Sequence, residues 1–520
     1  LPIRETIAFR SNSSLFFSLD RKEPKDQDGL IPAALAPRHC KPSGPTLGSG
    51  KASQNIDLEN QMRFSLSYLT LLYLSLLFQI QSISSFAQQK EHGEVYRYGR
   101  KIVDTLASPS MHGRGYVNDG DKIAAKYLEN ELRSFGLKNF NNTYRQEFHL
   151  SVNTFPPLDY AIAVTMIAPK GQKWLGEGQE ILVHGSSPPS SGTAGIIWFD
   201  KKTLGSDRNL KKFYAANFSE KALLIDDYGI TDKEQLKQVE ALKNNPVHAK
   251  VVLIFNRKRL MWEVSQTVST FPSFEILVKD SLHKAVRRQF RKAGKIVFHV
   301  DSKFIPDYQT QNLIGYIPGT EHPDSFIVFS AHYDHLGQLG PDIYFPGAND
   351  NASGCAMLLN MAKYYSMPEH KPKCSIAFML FGAEEAGLVG SHYYTEHPLF
   401  PLKQIKFLIN LDIMGTGDEG ITVVNGTTYP DQFKMMQTLN EKGHFLPEVK
   451  IRGQTHNSDH YFFSEHGVKA FFIYTRGGIQ AYHDIYDKAE TLPLSKFEDV
   501  FHLLTGFEGW LENSGVAVSK

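Results

Sequence analysis

Four apolar runs in the second half of the chain set the tightest limits on its fold: Ser325–Ala331, Ser375–Phe381, Ile405–Leu411 and Ala470–Tyr474. They are near-continuous in Ile, Val, Leu and Phe, the pattern of strands covered by helices on both faces. From Asn312 onward such runs alternate with helix-like segments, one of them over about Ala352–Tyr365. That alternation predicts an α/β layer structure around a mixed, mostly parallel central sheet flanked by helices. The end of each run matters as much as the run itself. His332-Tyr333-Asp334 comes directly after the first, Glu384-Glu385 after the second, Asp412 after the third, and the loop carrying His483 after the fourth. In open α/β sheets, ligands bind in the crevice beyond the carboxyl ends of the strands. Separate strand ends thus each deliver a metal-capable side chain to one edge.

Singly, each residue has an ordinary explanation. A His after a strand is commonly a hydrogen-bonded loop residue. Asp350, inside Gly347-Ala348-Asn349-Asp350-Asn351-Ala352-Ser353-Gly354, has the chemistry to cap the next helix. Glu384-Glu385 suits a solvated surface pair, and Asp412 a cap. Together, His332, Asp350, Glu385, Asp412 and His483 form a nitrogen and oxygen donor set that suits Zn²⁺ without any thiolate. A shared carboxylate at Asp350 would let two metals sit about 3.5–4 Å apart, the spacing of two-metal hydrolytic sites. Adjacent side chains at a strand end point in different directions, so one glutamate of the pair can bind metal while the other serves as a free base. Asp334, two residues after His332, is placed either as a plain turn residue or as the acceptor of a ligating histidine's other ring N–H.

The segments SAHYDHLG, GANDNASG, FGAEEAGLVGS, LINLDIMG and AYHDIYDKAETL occur in this order, and MHGRGYVNDGDKIAAKYL stands upstream. This set resembles the M28 family of zinc aminopeptidases, over roughly 92–150 and 305–515. The resemblance implies a zinc-exopeptidase fold and two zinc ions per chain. By it, His332 and Asp412 hold one zinc, Glu385 and His483 the other, and Asp350 bridges them. Glu384 is then the general base and Asp334 a partner of His332. The substrates implied are peptides with a free N-terminus. Ser458-Asp459-His460 also matches a family motif, but a run contiguous in sequence does not make a nucleophilic triad.

Three rivals share the scaffold. A one-zinc cyclase would not need both His332 and Asp412. A carboxypeptidase would need a basic pocket, for which Arg476 is a candidate. A receptor-like relative with a decayed site should lack ligands, and none is missing.

The rest of the chain frames this unit. Residues 155–304 hold short β-type runs (Tyr160–Ile167, Gly195–Trp198, Ala222–Ile225, Lys250–Ile254) between Gly, Pro and Ser turns, with one helix-like segment at Lys233–Lys243. They predict an inserted, mostly β domain that resembles a protease-associated domain, with 88–154 and 305–520 forming the catalytic unit. Within the latter, Asp121–Phe135 predicts a helix with Ile123, Ala124, Tyr127, Leu128 and Leu132 on one face, stopped by Gly136. Met62-Arg63, the apolar stretch Leu66–Phe78 and Ser85-Phe86-Ala87 describe a secretory signal over 62–87, with an uncleaved membrane anchor as the alternative. Residues 1–61 are polar and aperiodic and read as a disordered leader or sequence upstream of the true start. The expected location is secreted or periplasmic, with no stable membrane insertion after cleavage. Lys plus Arg (56) balances Asp plus Glu (55), so no basic face argues for nucleic acid. Cys40, Cys355 and Cys374 match no paired zinc or disulfide pattern.

Overall fold

The computed structural model describes residues 93–157, 162–168 and 171–514. The leader expected over 1–61 and the signal expected over 62–87 lie outside the described residues. In chain order the strands are β1 (Arg145–Thr154), β2 (Ile162–Ala168), β3 (Gly171–Trp174), β4 (Ile181–Val183), β5 (Ser190–Asp200), β6 (Lys221–Asp226), β7 (Val251–Asn256), β8 (Ser273–Leu277) and β9 (Lys295–Val300). Next come β10 (Lys303–Ile317), β11 (His322–His332), β12 (Gln338–Leu339), β13 (Ile343–Tyr344), β14 (Cys374–Phe381), β15 (Ile405–Leu411), β16 (Ile421–Val424), β17 (Val449–Ile451) and β18 (Ala470–Thr475).

The central sheet runs β1-β10-β14-β11-β15-β18-β16-β17. Its core, β14-β11-β15-β18, is parallel, while β1, β10 and β16 join antiparallel. The apolar runs are these core strands, and every residue of β14 and β15 is buried. Alternation decides which layer each residue fills. Ile327, Phe329, Ile376, Phe378 and Leu380 pack against helices Glu94–Leu106, Ser353–Ser366 and Phe497–Asn513. Phe326, Val328, Ala377, Met379 and Phe381 pack with Tyr394 and Phe463, from helices Val389–Glu396 and His460–Glu465.

Helix Gly120–Ser134 presents Ala124, Ala125, Leu128 and Leu132 to the core, but Ile123 is 38% exposed. At 100° per residue the buried stripe centres on 124, 128 and 132, which turns position 125 inward and position 123 outward. Asp121 fixes this helix, accepting hydrogen bonds from Tyr308 Oη (2.7 Å) and Thr310 Oγ1 (2.7 Å) of β10.

A second sheet, β3-β2-β9-β5-β6-β7-β8-β4, lies within the segment read as an insertion. It is parallel through β5-β6-β7-β8. Helices Lys201–Leu204, Asp207–Tyr214, Lys233–Lys243 and His283–Ala293 flank it, where the sequence pattern indicates one. The first two are too short to show an apolar period; they start where Asp200 and Ser206 accept the N–H groups of Thr203 and Asn209. The core of this sheet also takes in Leu336, Leu339 and Phe345, from the segment between His332 and Asp350. No helix among the described residues is long and apolar enough to cross a membrane. Cys355 and Cys374 are buried free thiols.

Phe378 is fully buried at the middle of the central sheet. Phe378→Ala should lower unfolding free energy by about 3–5 kcal/mol in denaturant titration; a loss below about 1 kcal/mol would mean this layer is not the core.

Candidate metal centre

Register brings the donors together. His332 lies beside Phe381 across the β11–β14 pair, three residues before Glu384. Ser330 pairs with Asn410, two residues before Asp412, and Leu411 with Ile473. Asp350 comes from the turn that opens helix Ser353–Ser366. That helix start presses on the end of β15: a Cβ on Gly354 would meet Leu411 O at 2.5 Å, so only glycine admits the approach.

The two carboxylate oxygens of Asp350 face different partners. Oδ1 lies 3.2 Å from His332 Nε2, which is 3.5 Å from Asp412 Oδ1. Oδ2 lies 3.3 Å from His483 Nε2, which is 3.1 Å from Glu385 Oε2. Tetrahedral zinc with bonds of about 2.0–2.1 Å keeps its ligand atoms about 3.3 Å apart. The two contacts of His332 and the two contacts of His483 match that spacing. Asp412 Oδ1 is buried with no hydrogen-bond partner, an oxygen for which a cation is the natural complement. The residues therefore fit the metal that their chemistry suggests.

Charge points the same way. Asp350 and Asp412, both buried, and the part-buried Glu384 and Glu385 converge on three imidazoles, those of His332, His335 and His483. Burial opposes protonation of His332, but Glu384, Asp350 and Asp412 outweigh it and hold the ring well above its ordinary pKa. Burial likewise opposes protonation of His483, and Glu385 and Asp350 outweigh it there. The Glu384 carboxyl is pushed well above the usual carboxylate range, first by burial and then by Glu385, Asp459 and Asp412. Burial also raises Glu385, but His483 and His335 overcome it and hold it at about 2.

Further residues hold the donors in place. Asp334 accepts the backbone N–H groups of Glu384 (3.0 Å) and Glu385 (3.3 Å). Its carboxylate is 3.8 Å from His332 Nδ1, whose nearer acceptor is the Asp334 backbone oxygen at 3.2 Å. Ser458 donates to Asp412 Oδ2 at 3.1 Å and accepts from Asn410 Nδ2 at 2.8 Å. It thus orients Asp412, while His460 packs on Phe472, its pKa lowered to about 3 by burial, so the Ser-Asp-His run is not a triad.

Sequence reasoning missed four contributors. Asp487 accepts the N–H groups of Asn349 (2.9 Å) and Asp350 (3.0 Å). Arg114, fully buried, donates to the carbonyls of Tyr333, Leu106, Pro346, Gly347 and Asp350. His335 Nδ1 lies 2.7 Å from Glu385 Oε1. Tyr482 stacks on His483 at 4.0 Å; burial and the surrounding carboxylates keep its phenol protonated. All four stand inside the motif segments, Asp487 and Tyr482 in AYHDIYDKAETL, Arg114 in MHGRGYVNDGDKIAAKYL and His335 in SAHYDHLG, which was the available signal.

Residues 312–507 match peptidase family M28. The chain is 30% identical over 312 residues to aminopeptidase YwaD of Bacillus subtilis, covering 57% of this chain and 63% of that protein. It is 33% identical over 135 residues to a vacuolar membrane protease of Candida tropicalis, covering 26% and 14%. The chain thus spans less than two thirds of the length of these curated relatives. Its structure is similar to that of BSAP, a zinc aminopeptidase from Bacillus subtilis, with TM-score 0.59 and 21% identity over 81% of this chain and 97% of that one. An aminopeptidase from Aneurinibacillus sp. strain AM-1 gives 0.54 and 18% over 82% and 96%. At such identities the likeness concerns the fold. The fold is similar to that of these aminopeptidases, and the donors gathered at the sheet edge are of the kind that suits zinc. The similarity to peptidase family M28 is carried by residues 312–507, less than half of the chain.

Ser458→Ala removes the hydroxyl that fixes Asp412. Zinc affinity, measured by competition with a chromogenic chelator, should fall about 10–100-fold; unchanged affinity would show that Asp412 needs no such support.

Proposed function

We propose that the protein is a two-zinc aminopeptidase acting on peptides with a free N-terminus. The observation that carries this reading is the division of Asp350, one oxygen toward His332 and Asp412 and the other toward His483 and Glu385. On this reading His332, Asp412 and Asp350 hold one zinc, and Glu385, His483 and Asp350 the other. Zinc there supplies Lewis acidity, polarising a carbonyl and lowering the pKa of a nearby water toward about 7.

The chain's own residues do the rest. Glu384 accepts a proton from the attacking water at its carboxylate and returns it to the leaving amine. Asp334 keeps Glu384 and Glu385 in register by taking both backbone N–H groups. Tyr482 remains a neutral phenol beside the cluster.

The carboxypeptidase alternative loses support at Arg476, whose guanidinium pairs with Glu448 and with the Glu419 carbonyl. We read the second-sheet segment as a protease-associated-like insertion, and Met62–Ala87 as the signal that sends the protein out of the cell.

Glu384→Gln keeps the size of the side chain but removes the base. Hydrolysis of aminoacyl chromogenic substrates should drop at least about 10²-fold, with both zincs retained in metal analysis. A near-normal rate would overturn the base assignment. Cleavage of N-blocked substrates at rates equal to free-amine ones would overturn the aminopeptidase reading.

A further inference from the structure

The five proposed ligands are not anchored alike. His332 ends strand β11, and Asp412 comes directly after β15, its N–H donating to Ile473 O of β18 at 3.2 Å. Asp350 is tied to Asp487 and Arg114. These supports all belong to the unit of the central sheet. Glu385 and His483 sit on loops, and His483 holds a left-handed backbone with φ 52°. For a residue with a Cβ, that conformation persists only when surrounding contacts enforce it.

Three of those contacts come from the second-sheet segment, from residues 257–272 between β7 and β8. The Trp262 N–H donates to His483 O at 2.9 Å. Arg259 Nη1 donates to Gln480 O at 2.5 Å, and its guanidinium lies 5.8 Å from the ring centre of Tyr482. Gln266 Nε2 donates to Ala386 O, next to Glu385, at 2.6 Å. The loop is itself rigidly seated. The Trp262 indole stacks on Phe345 at 5.4 Å and donates to Val183 O at 3.0 Å. The backbone of Ser265 accepts from Asn153 N at 2.8 Å, and that of Gln266 from Ser151 Oγ at 2.8 Å.

We infer that the 257–272 loop is a strap that positions one half of the metal centre. Arg259, Trp262 and Gln266 are positioning residues for the loops of His483 and Glu385, and the half formed by His332 and Asp412 is independent of them. The second-sheet segment then governs how tightly one metal is held, beyond any role in admitting substrate. This rests on the two-metal reading of the site.

The experiment uses the full chain carrying Arg259→Ala together with Gln266→Ala. Neither residue is a proposed ligand, and Trp262, which supports the core, is left intact. Zinc is withdrawn by a graded chelator series, and Co²⁺ refilling is followed by visible absorption. One equivalent should weaken about 10–100-fold, the usual effect of removing a ligand's support. The other should keep its wild-type affinity, and His483→Ala and Asp412→Ala identify which is which. Arg259→Lys with Gln266 restored should recover most of the loss. Hydrogen exchange on the metal-free chain should quicken at 384–388 and 480–485 and stay unchanged in β11 and β15. Equal weakening of both equivalents, or no weakening, would overturn the strap. A wild-type chain holding a single equivalent would instead overturn the two-metal reading. The strap would then stand or fall on whether the double variant weakens the equivalent that His483→Ala removes.

Discussion

Burying several carboxylates at one sheet edge is the constraint to which the rest of the structure answers. Ionised carboxylates in a low-dielectric crevice are costly unless matched by positive charge and by donors. Asp350, Glu384, Glu385 and Asp412 gather around three imidazoles, those of His332, His335 and His483. The elevated histidines and the elevated Glu384 are two expressions of the same deficit of positive charge. On the proposed two-metal reading a pair of dications would remove that deficit, and the charge balance of this edge would depend on the metals it uses.

On the proposed reading Asp350 is the pivot, and its backbone is held from several sides. Asp487 takes its N–H, Arg114 takes its carbonyl, and Asn351 donates to Leu411 O at 2.9 Å. Arg114 has a second effect: by gathering carbonyls from Leu106, Tyr333, Pro346 and Gly347, it joins the segments on both sides of the crevice through one buried cation. Five charge-assisted bonds in a fixed planar fork suit this task as lysine would not.

The central strands were legible because burial on both faces leaves few residue types open to them, and β14 and β15 coincide with the apolar runs within a residue. The proposed ligands His332, Glu385, Asp412 and His483 were legible because they follow the ends of those runs, and Asp350 because it stands in the turn before the next helix. The exact face of helix Gly120–Ser134 was legible only in part: Ile123 falls outside the stripe centred on 124, 128 and 132, and the bonds of Asp121 to Tyr308 and Thr310 that anchor the helix are tertiary contacts. The short helices beside the second sheet were hidden because their stability comes from caps and packing. Arg114, Ser458, Asp487 and the 257–272 loop act across long sequence separations, through backbone atoms or single hydrogen bonds. Composition and spacing carry no trace of such contacts, apart from motifs that happen to include some of these residues.

The central claim is that Asp350 divides two metals between its oxygens. Anomalous diffraction at the zinc edge from crystals of the zinc-loaded protein tests it most directly. The account predicts two peaks about 3.5–4 Å apart, one on each side of the Asp350 carboxylate. One falls among His332 and Asp412, and the other among Glu385 and His483. A single peak, or a second peak away from Asp350, would contradict it.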